Sequence, residues 1–327
     1  MAVPFDLVSG DAKRALEEFS DEFRSALALG EIEQWAEALG LVKTSKAIKS
    51  TYPIPVHAAG YNEFKGDMKY RSLYSRSLSM KPKQWQDGVA ELERIISAPD
   101  FSGWNEQPAA MAMEAMRQPN KWVAAILAAN PNLDFYRDDE AGTASSIPLF
   151  SNSHPVNVFD AAFGTFDNDH AASAIDADMM VEAKTRFRQK KGPNGEPMGL
   201  RLTHMLVPAA LEETAKEFLE QDLLIQAVEN LGGTDNVAAV TQHNRHKGTV
   251  QLLVADELTA SDEFYLFAKN KPGLFPWIVQ KEGSPEEILH DKDSAMYKSS
   301  LKVGLAYILT GNAAAALPHC IERITLT

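Results

Sequence analysis

The residues with the clearest capacity for chemistry are a group of acids beside a histidine. Asp160, Asp167, Asp169 and His170 fall within eleven residues, and carboxylate and imidazole groups are common ligands of a divalent cation that activates water for hydrolysis. They lie in a turn-rich stretch, however, where Asp and Asn side chains favour local hydrogen bonds to the backbone. No further ligand follows at a fixed spacing. A cytosolic metal-dependent hydrolase is therefore kept as an alternative, and no metal ligand is predicted.

A pair of histidines, His243 and His246, has the three-residue spacing that places two side chains on one face of a helix. Arg245 and Lys247 accompany them in QHNRHKG, and the positive charges of these two residues oppose a bound cation. No third ligand occurs at a fixed spacing. We therefore predict no metal site in this segment.

The sequence lacks the motifs of nucleophilic and phosphate chemistry. There is no GxSxG, and the single cysteine, Cys320, directly follows His319 in a predicted terminal strand, where neighbouring side chains point to opposite faces. Cys320 is predicted to be a buried structural thiol. GYNEFKGD has the wrong glycine spacing for a phosphate loop, and Gly232 and Gly233 are predicted to end a helix instead of opening one. We predict no catalytic residue, no cofactor and no enzymatic activity.

Two pairs of adjacent carboxylates are candidates for acid and base chemistry, Glu212 with Glu213 and Glu286 with Glu287. Each pair follows a proline at a predicted helix start, where acidic side chains complement the helix dipole. Their presence is therefore explained without catalysis.

One basic cluster stands out at the end of a helix predicted over 173–191. Cations are favoured there by the helix dipole, so a solvated face is the first interpretation, and a local contact with nucleic acid or an acidic partner is the alternative. The cluster comprises Lys184, Arg186, Arg188, Lys190 and Lys191.

The elements that must position these groups begin with helices. Apolar residues recur at three- and four-residue spacing over 16–27, which predicts a helix that stops at Gly30, and a second short helix is predicted to end at Gly40. Pro53 and Pro55 then forbid a helix and favour an extended strap.

Two further helices are predicted in the middle of the chain. The first covers 105–129, and Pro119 must kink or split it at Gln118. Ser173 followed by Asp176 resembles a capping box that opens the second. The apolar stripe of this second helix has strict four-residue spacing: Ile175, Met179, Ala183 and Phe187.

Residues 61–96 alternate polar and apolar side chains, which predicts a long two-stranded hairpin. Its arms are expected near 69–79 and 84–94, with Lys81-Pro82-Lys83 near the tip. Neither face is strongly apolar. Because such a ribbon is marginal alone in water, it should rest on something else, and a neighbouring subunit is one candidate.

The C-terminal half alternates strands with few helices and lacks regular βαβ order, so the fold class is α+β. Pro208 is predicted to start a helix that Gly232 and Gly233 end. Predicted strands are LRLTHMLVP, VQLLVADEL, EFYLFAK, FPWIVQK and the two arms of the C-terminal SSLKVGLAYILTGNAAAALPHCIERITL.

Composition restricts the possible partners. The 327 residues include 32 Lys and Arg against 45 Asp and Glu, a formal net charge of −13, which disfavours general attraction to nucleic acid or an anionic membrane. One cysteine permits no intrachain disulfide, which fits a reducing compartment. The start, MAVPFDLVSGDAKR, does not resemble a signal peptide, and the apolar stretches are too short to span a bilayer. We expect neither secretion nor a membrane partner.

The order of segments resembles the major head subunit of Mu-like bacteriophages and prophages, within the Hong Kong 97-type capsid proteins. The resemblance runs from about 30 to 324. Its pieces are LGEIEQWAEALG, YNEFKGDMKYRSLYSRSLSMKPKQWQDGVAELERIISAPDFSGW, QPAAMAMEAMRQPNKWVAAILAA, IPLFSNSHP, GEPMGLRLTHMLVPAALEETAKEFL and EFYLFAKNKPGLFPWIVQKEG.

This resemblance implies a Hong Kong 97-like capsid fold with four parts. These are an N-terminal arm (1–57), an extended two-stranded loop (58–97), a peripheral domain with a long helix (98–134 and 271–327), and an axial domain (135–270). It implies no catalytic residue and no cofactor. Some relatives crosslink subunits between Lys and Asn, but no such pair is identified here and no crosslink is predicted.

The implied function is self-assembly, as pentamers and hexamers, into an icosahedral head shell that encloses phage DNA. Expected partners are a scaffold or protease, a portal, decoration proteins, and DNA by local non-specific contact. The expected location is the virion, after assembly in the host cytoplasm. A nanocompartment shell of the same fold is a second alternative. Tyr70, Arg71, Tyr74 and Arg76 are the predicted contacts of the extended loop with a neighbour, because aromatic and Arg side chains combine contact area with directed hydrogen bonds.

Overall fold

The protein is a mixed α and β fold built on two five-stranded sheets and one long helix. The computed structural model describes residues 10–30, 32–55, 75–96, 107–133, 136, 146–157, 161–193, 195–228, 238–290 and 294–327. Within these residues, no helix is both long and apolar enough to cross a membrane.

The helices and strands alternate irregularly along the chain. The helices are α1 (Gly10–Leu29), α2 (Trp35–Leu39), α3 (Glu93–Ile96), α4 (Gln107–Ala129), α5 (Ala177–Gln189), α6 (Glu212–Glu220) and α7 (Ala295–Ser300). The strands are β1 (Leu41–Thr44), β2 (Ser50–Pro55), β3 (Ser75–Met80), β4 (Lys83–Leu92), β5 (His154–Pro155), β6 (Thr165–Phe166), β7 (Asp169–Ala172), β8 (His204–Pro208), β9 (Leu223–Val228), β10 (Ala238–His243), β11 (Gln251–Ala255), β12 (Glu263–Phe267), β13 (Trp277–Lys281), β14 (Glu286–His290), β15 (Lys302–Ala315) and β16 (Ile321–Leu326).

The first sheet is organised by β15, its longest strand. Its order is β1-β13-β15-β14, and β4 also pairs with β15. Glycines allow β4 to approach β15 closely: a Cβ atom on Gly304 would lie 2.5 Å from the carbonyl oxygen of Val89, and one on Gly88 would lie 2.8 Å from the Cβ of Ala306. Any larger residue at these positions must displace backbone.

The second sheet has the order β11-β8-β12-β16-β7, with parallel pairs at both edges and antiparallel pairs in the centre. Its central strands β8 and β12 are buried along most of their length. Such near-continuous apolar runs are typical of strands that are covered on both faces. The last strand, β16, therefore contributes to the interior of this sheet.

One hydrophobic core joins the two sheets to α2 and α4. The Trp277 Nε1–H donates to the carbonyl oxygen of Ala36 at 2.7 Å, and the Trp277 ring meets that of Trp35 edge-on at 6.2 Å. Asn120 links α4 to the same region, because its amide nitrogen donates to the Glu33 carbonyl at 2.9 Å and its oxygen accepts from the backbone N–H of Ala36 at 3.1 Å. These bonds satisfy polar groups that burial would otherwise leave unpaired.

The predicted N-terminal helix is confirmed, and α1 packs against α4 and β15 through a second, smaller core. The ring of Phe23 stacks on that of Tyr307 with centroids 3.6 Å apart. Glu287 on β14 accepts hydrogen bonds from Ser20 at 2.8 Å and Arg24 at 2.7 Å. Gly30 follows the helix with φ +62°, the left-handed conformation that ends many helices.

The long helix α4 is confirmed and continues through Pro119. Of the two expected effects of this proline, a split of the helix at Gln118 does not occur. Pro119 and Asn120 are both buried, and α4 packs against α1, α2 and β15. Tertiary packing therefore holds the helix together despite the backbone hydrogen bond that proline removes.

The predicted hairpin between arms near 69–79 and 84–94 is wrong. β3 pairs antiparallel with β2, whereas β4 pairs antiparallel with β15 over ten residues. The alternation of side chains indicated the two strands correctly. Each strand, however, pairs with a strand more distant in sequence, and β3 and β4 do not pair with each other. The ribbon of β2 and β3 encloses residues 56–74, which lie outside the described residues.

Three helix boundaries also differ from expectation. Helix α5 begins later than predicted, because Asp176 and not Ser173 is its N-cap and accepts from the Met179 N–H at 2.8 Å. Helix α6 ends at Glu220, well before Gly232 and Gly233, because strand β9 follows it. The predicted helix start at 286–287 is strand β14 instead, paired with β15.

Candidate assembly surfaces and a buried charge cluster

The predicted neighbour contacts fall mainly outside the described residues. Tyr70, Arg71 and Tyr74 lie there, and only the backbone of Arg76 is described, opposite Ile54 in the β2–β3 ribbon. These four positions therefore remain a prediction.

The base of the β2–β3 ribbon is anchored in the main core. Leu78 and Met80 on β3 are almost fully buried, and Tyr52 on β2 packs against the same cluster. Pro55 and Ser75, the residues that flank the undescribed segment 56–74, are paired with each other in this ribbon.

The candidate metal cluster forms ion pairs instead. Asp169 on β7 accepts two hydrogen bonds from the guanidinium of Arg323 on β16, at 2.9 and 2.7 Å. Asp167 lies 3.6 Å from His170 Nδ1, and Asp160 lies outside the described residues. Within the part of the chain that the structure describes, no group of three His, Cys, Asp or Glu residues is arranged for a metal ion.

Two residues of the basic cluster at the C-terminal end of α5, Arg186 and Lys190, contact a buried carboxylate. Glu322 on β16 is fully buried, with Lys190 Nζ 2.9 Å from its Oε1 and Arg186 Nε 3.1 Å from its Oε2. Lys190 is also buried, 4.3 Å from the centre of the Phe187 ring. A solvated face is therefore the wrong interpretation for Lys190 and Arg186, because α5 packs this side against the second sheet.

Burial and charge oppose each other at this cluster. Burial lowers the pKa of Lys190, while the carboxylate of Glu322 raises it. Burial also lowers the pKa of His170, whose Nε2 lies 3.8 Å from Glu322. A paired charge in this interior is tolerated only while its partner is present. Sequence reasoning missed Glu322, although a lone acid in the mainly apolar predicted strand CIERITL, beside Arg323, was a signal.

Two more histidines are neutral components of the interior. His154 Nε2 lies 3.0 Å from Asn168 Oδ1 and 3.2 Å from the Leu149 carbonyl oxygen. Burial lowers the pKa of His154 to about 4 and that of His319 to about 3. Neighbouring Cys320 is buried, as predicted, although in a short 3-10 turn and not a strand.

The second histidine pair does not share a helical face. His243 ends strand β10, and His246 lies in the following turn. His246 Nδ1 is 3.0 Å from Lys184 Nζ, so an ammonium group occupies the position where a metal ion would bind. Glu212 and Glu213 do lie in the first turn of α6, as expected from the helix dipole.

Solved structures with a similar fold come from phage and GTA particles. A chain in the procapsid of bacteriophage JBD30 has a TM-score of 0.50 at 12% identity, covering 98% of this chain and 77% of that one. For the capsid of an empty GTA particle the TM-score is 0.52 at 9% identity, covering 90% and 91%. For Mycobacterium phage Patience it is 0.50 at 12% identity, covering 97% and 87%. At such identities these similarities establish the fold. No curated protein matches the sequence.

Family membership follows from the sequence itself. Residues 86–306, about two thirds of the chain, match the family described as phage capsid protein. The chain belongs to this family, and it is a structural subunit of a phage capsid. The match gives no support to the hydrolase or the nanocompartment alternative.

Proposed function

We propose that this chain is the major head subunit of a Mu-like phage or prophage particle. Copies of it assemble as pentamers and hexamers into an icosahedral shell of the Hong Kong 97 type around packaged DNA. The observation that carries the proposal is the family match over 86–306. Fold similarity over nearly the whole chain to capsid chains adds support. The protein then works in the virion, after assembly in the cytoplasm of the host.

The proposed parts are an N-terminal arm (1–57), an extended loop (58–97), a peripheral domain (98–134 and 271–327) and an axial domain (135–270). Strand pairing suggests two refinements. The extended loop begins with β2, because β2 pairs with β3. The axial part includes β16, because β16 lies between β12 and β7.

The extended loop is the proposed contact with a neighbouring copy, through Tyr70, Arg71, Tyr74 and Arg76. The anchored base at Leu78 supports this assignment. Aromatic and Arg side chains supply much of the binding energy in protein interfaces.

The test replaces residues 57–73 by a short Gly-Ser linker and so keeps both strands of the ribbon. We expect a folded subunit, with unchanged circular dichroism, that forms no closed shells in negative-stain microscopy. A triple variant Tyr70→Ala, Arg71→Ala and Tyr74→Ala should show the same defect, whereas Lys43→Ala and Lys49→Ala, at exposed positions near the ribbon, should not. Normal shells from the linker variant would remove the loop assignment, and absence of shells from the unaltered protein would contradict the function itself.

The remaining proposed partners are a scaffold or protease, a portal, decoration proteins and packaged DNA. Copies alone are expected to form shells, while regular size and DNA content depend on these partners. Co-expression with the neighbouring genes of the particle, followed by mass spectrometry of purified shells, identifies which proteins are retained. Shells that retain no other protein would contradict stable association with a portal or decoration protein.

A further inference from the structure

A basic groove of about 490 Å³ lies at the β7 edge of the second sheet. Four cations and a single acid line it, and the residues 165–167 in its wall lie shortly before β7 in the chain. The residues that give it its charge are Asp167, Arg186, Arg188, Lys190 and Lys191.

Only part of this positive charge is neutralised within the subunit. The buried carboxylate of Glu322 forms ion pairs with Lys190 and Arg186. Arg188 and Lys191 are exposed, and no carboxylate among the described residues pairs with either. The groove therefore presents two cations to an external partner.

An acidic groove of about 610 Å³ lies at the opposite edge of the same sheet, beside β11. Val254 of β11 lines it, and Asp256 and Glu257 follow at the end of that strand. Arg117 is its one cation and lies between the two acids, 3.1 Å from Asp256 and 3.5 Å from Glu257. The five carboxylates in the wall are Glu33, Glu114, Glu212, Asp256 and Glu257.

Two of these carboxylates are well placed for an outside partner. Glu33 is exposed and has no ion pair among the described residues. The side chain of Asp256 is 66% exposed despite its contact with Arg117. Opposite charges therefore face outward at opposite edges of one sheet, separated by β8, β12 and β16, which is roughly 19 Å at the usual spacing between strands.

This arrangement suits a head-to-tail contact. A surface on one edge that complements the other edge generates a ring or an open chain of copies. Because each copy carries a net charge of −13, copies repel one another at long range, and local contacts of opposite charge must select the docking orientation.

We propose that the basic groove of one copy docks against the acidic groove of the next, with Arg188 and Lys191 of the first copy facing Glu33 and Asp256 of the second. This inference rests on the proposed self-assembly, to which it adds the lateral contact between neighbouring copies. The partner is a second copy of this chain, and the contact is heterologous.

Three charge-reversed proteins test the contact. The first carries Arg188→Glu and Lys191→Glu, the second Glu33→Lys and Asp256→Lys, and the third carries all four substitutions. We expect each of the first two to raise the critical concentration for shell formation at least tenfold, measured by light scattering and negative-stain microscopy. The third protein should assemble near the normal concentration, because the two grooves again carry opposite charges, with the sign of each groove reversed. Circular dichroism melting checks that each variant is folded.

A control separates the contact from net charge. Arg201→Glu with Lys271→Glu lowers the net charge by as much as Arg188→Glu with Lys191→Glu does, but at two exposed residues outside both grooves. Normal assembly of this control supports the proposal, and an equal defect in it overturns the proposal.

The remaining outcomes are distinguishable. If the Arg188→Glu and Lys191→Glu protein forms normal shells, the proposal fails, and a fall in the nucleic acid content of those shells would assign the basic groove to DNA. Failure of the fourfold variant to recover also overturns the pairing of the two grooves. If the unaltered protein forms no shells, the proposed function fails before the grooves are tested.

Discussion

At the scale of single residues, Glu322 is the side chain whose environment matters most. It lies fully buried between Lys190 and Arg186. A buried pair stabilises a protein little compared with an apolar pair, but removing one partner leaves an uncompensated charge. The carboxylate therefore links β16 to Arg186 on α5 and to Lys190 just after this helix.

Replacement Glu322→Gln should reduce the free energy of unfolding of the unassembled subunit by about 3 to 5 kcal/mol, because Lys190 loses its counter-charge in the interior. Urea denaturation measures the loss. Glu182→Gln is a matched control, because Glu182 contacts the same Arg186 at 3.6 Å but is 73% exposed; it should cost about 0.5 kcal/mol or less. Equal losses in the two variants would contradict the importance of burial.

The buried histidines predict a loss of stability in mild acid. In the folded state the pKa of His154 is about 4 and that of His319 about 3, whereas an unfolded histidine titrates near 6.5. Between these values the unfolded chain binds more protons, so stability falls as the pH decreases from about 6.5 toward 4. Each histidine should cost roughly 2 kcal/mol between pH 7 and pH 5.

The variant His154→Gln should remove its own share of this pH dependence. The quantity to compare is the change in unfolding free energy between pH 7 and pH 5, measured within each protein, so that any general destabilisation cancels. The change should be smaller in the variant by roughly 2 kcal/mol. An identical change in both proteins would show that His154 is not kept neutral by burial.

At the scale of elements, the close pairing of β4 with β15 controls the first sheet. Because β4 pairs with β15, it does not pair with β3, and the ribbon is formed by β2 and β3 instead. The glycines on both strands make it possible, since a side chain at Gly304 would collide with the Val89 carbonyl. Glycine is thus required here for close approach and not for an unusual φ angle.

Replacement Gly304→Val should therefore destabilise the protein by about 1 to 3 kcal/mol through overpacking. Hydrogen exchange should locate the damage, with faster exchange of the amides of β4 and the facing part of β15, while the second sheet remains protected. Uniform loss of protection over the whole chain would contradict a defect confined to this strand pair.

At the scale of the whole molecule, strand β16 completes the second sheet. Strand β16 pairs with β12 on one side and with β7 on the other. Its residues Ile321 and Ile324 are buried in the main core. Strand β16 thus belongs both to the second sheet and to the main core.

Deletion of residues 321–327 should consequently yield an insoluble or unfolded subunit, because β7 and β12 lose their shared partner and the core loses both isoleucines. Deletion of Thr327 alone, which is exposed and outside β16, should leave solubility and circular dichroism unchanged. A folded subunit after removal of 321–327 would show that the sheet closes without β16.

The sequence by itself determined those features that depend on local patterning. Helices α1 and α4, strands β8, β11, β12, β13, β15 and β16, and the buried state of Cys320 follow from the spacing of apolar residues and from the positions of Gly and Pro. The resemblance in the order of segments also indicated a capsid subunit, because this order can be compared between sequences without knowing which segments contact each other. The contact residues predicted at Tyr70, Arg71, Tyr74 and Arg76 stay a prediction.

Only the tertiary structure decided which distant partners meet. β4 joined β15 instead of β3, Asp169 turned from a candidate metal ligand into the partner of Arg323, and Glu322 came to lie against Lys190 from 132 positions away. Local patterning places a residue on one face of its helix or strand, but it does not determine which other helix or strand packs against that face. That choice depends on the burial and pairing free energy of the whole chain, which no short stretch of sequence contains.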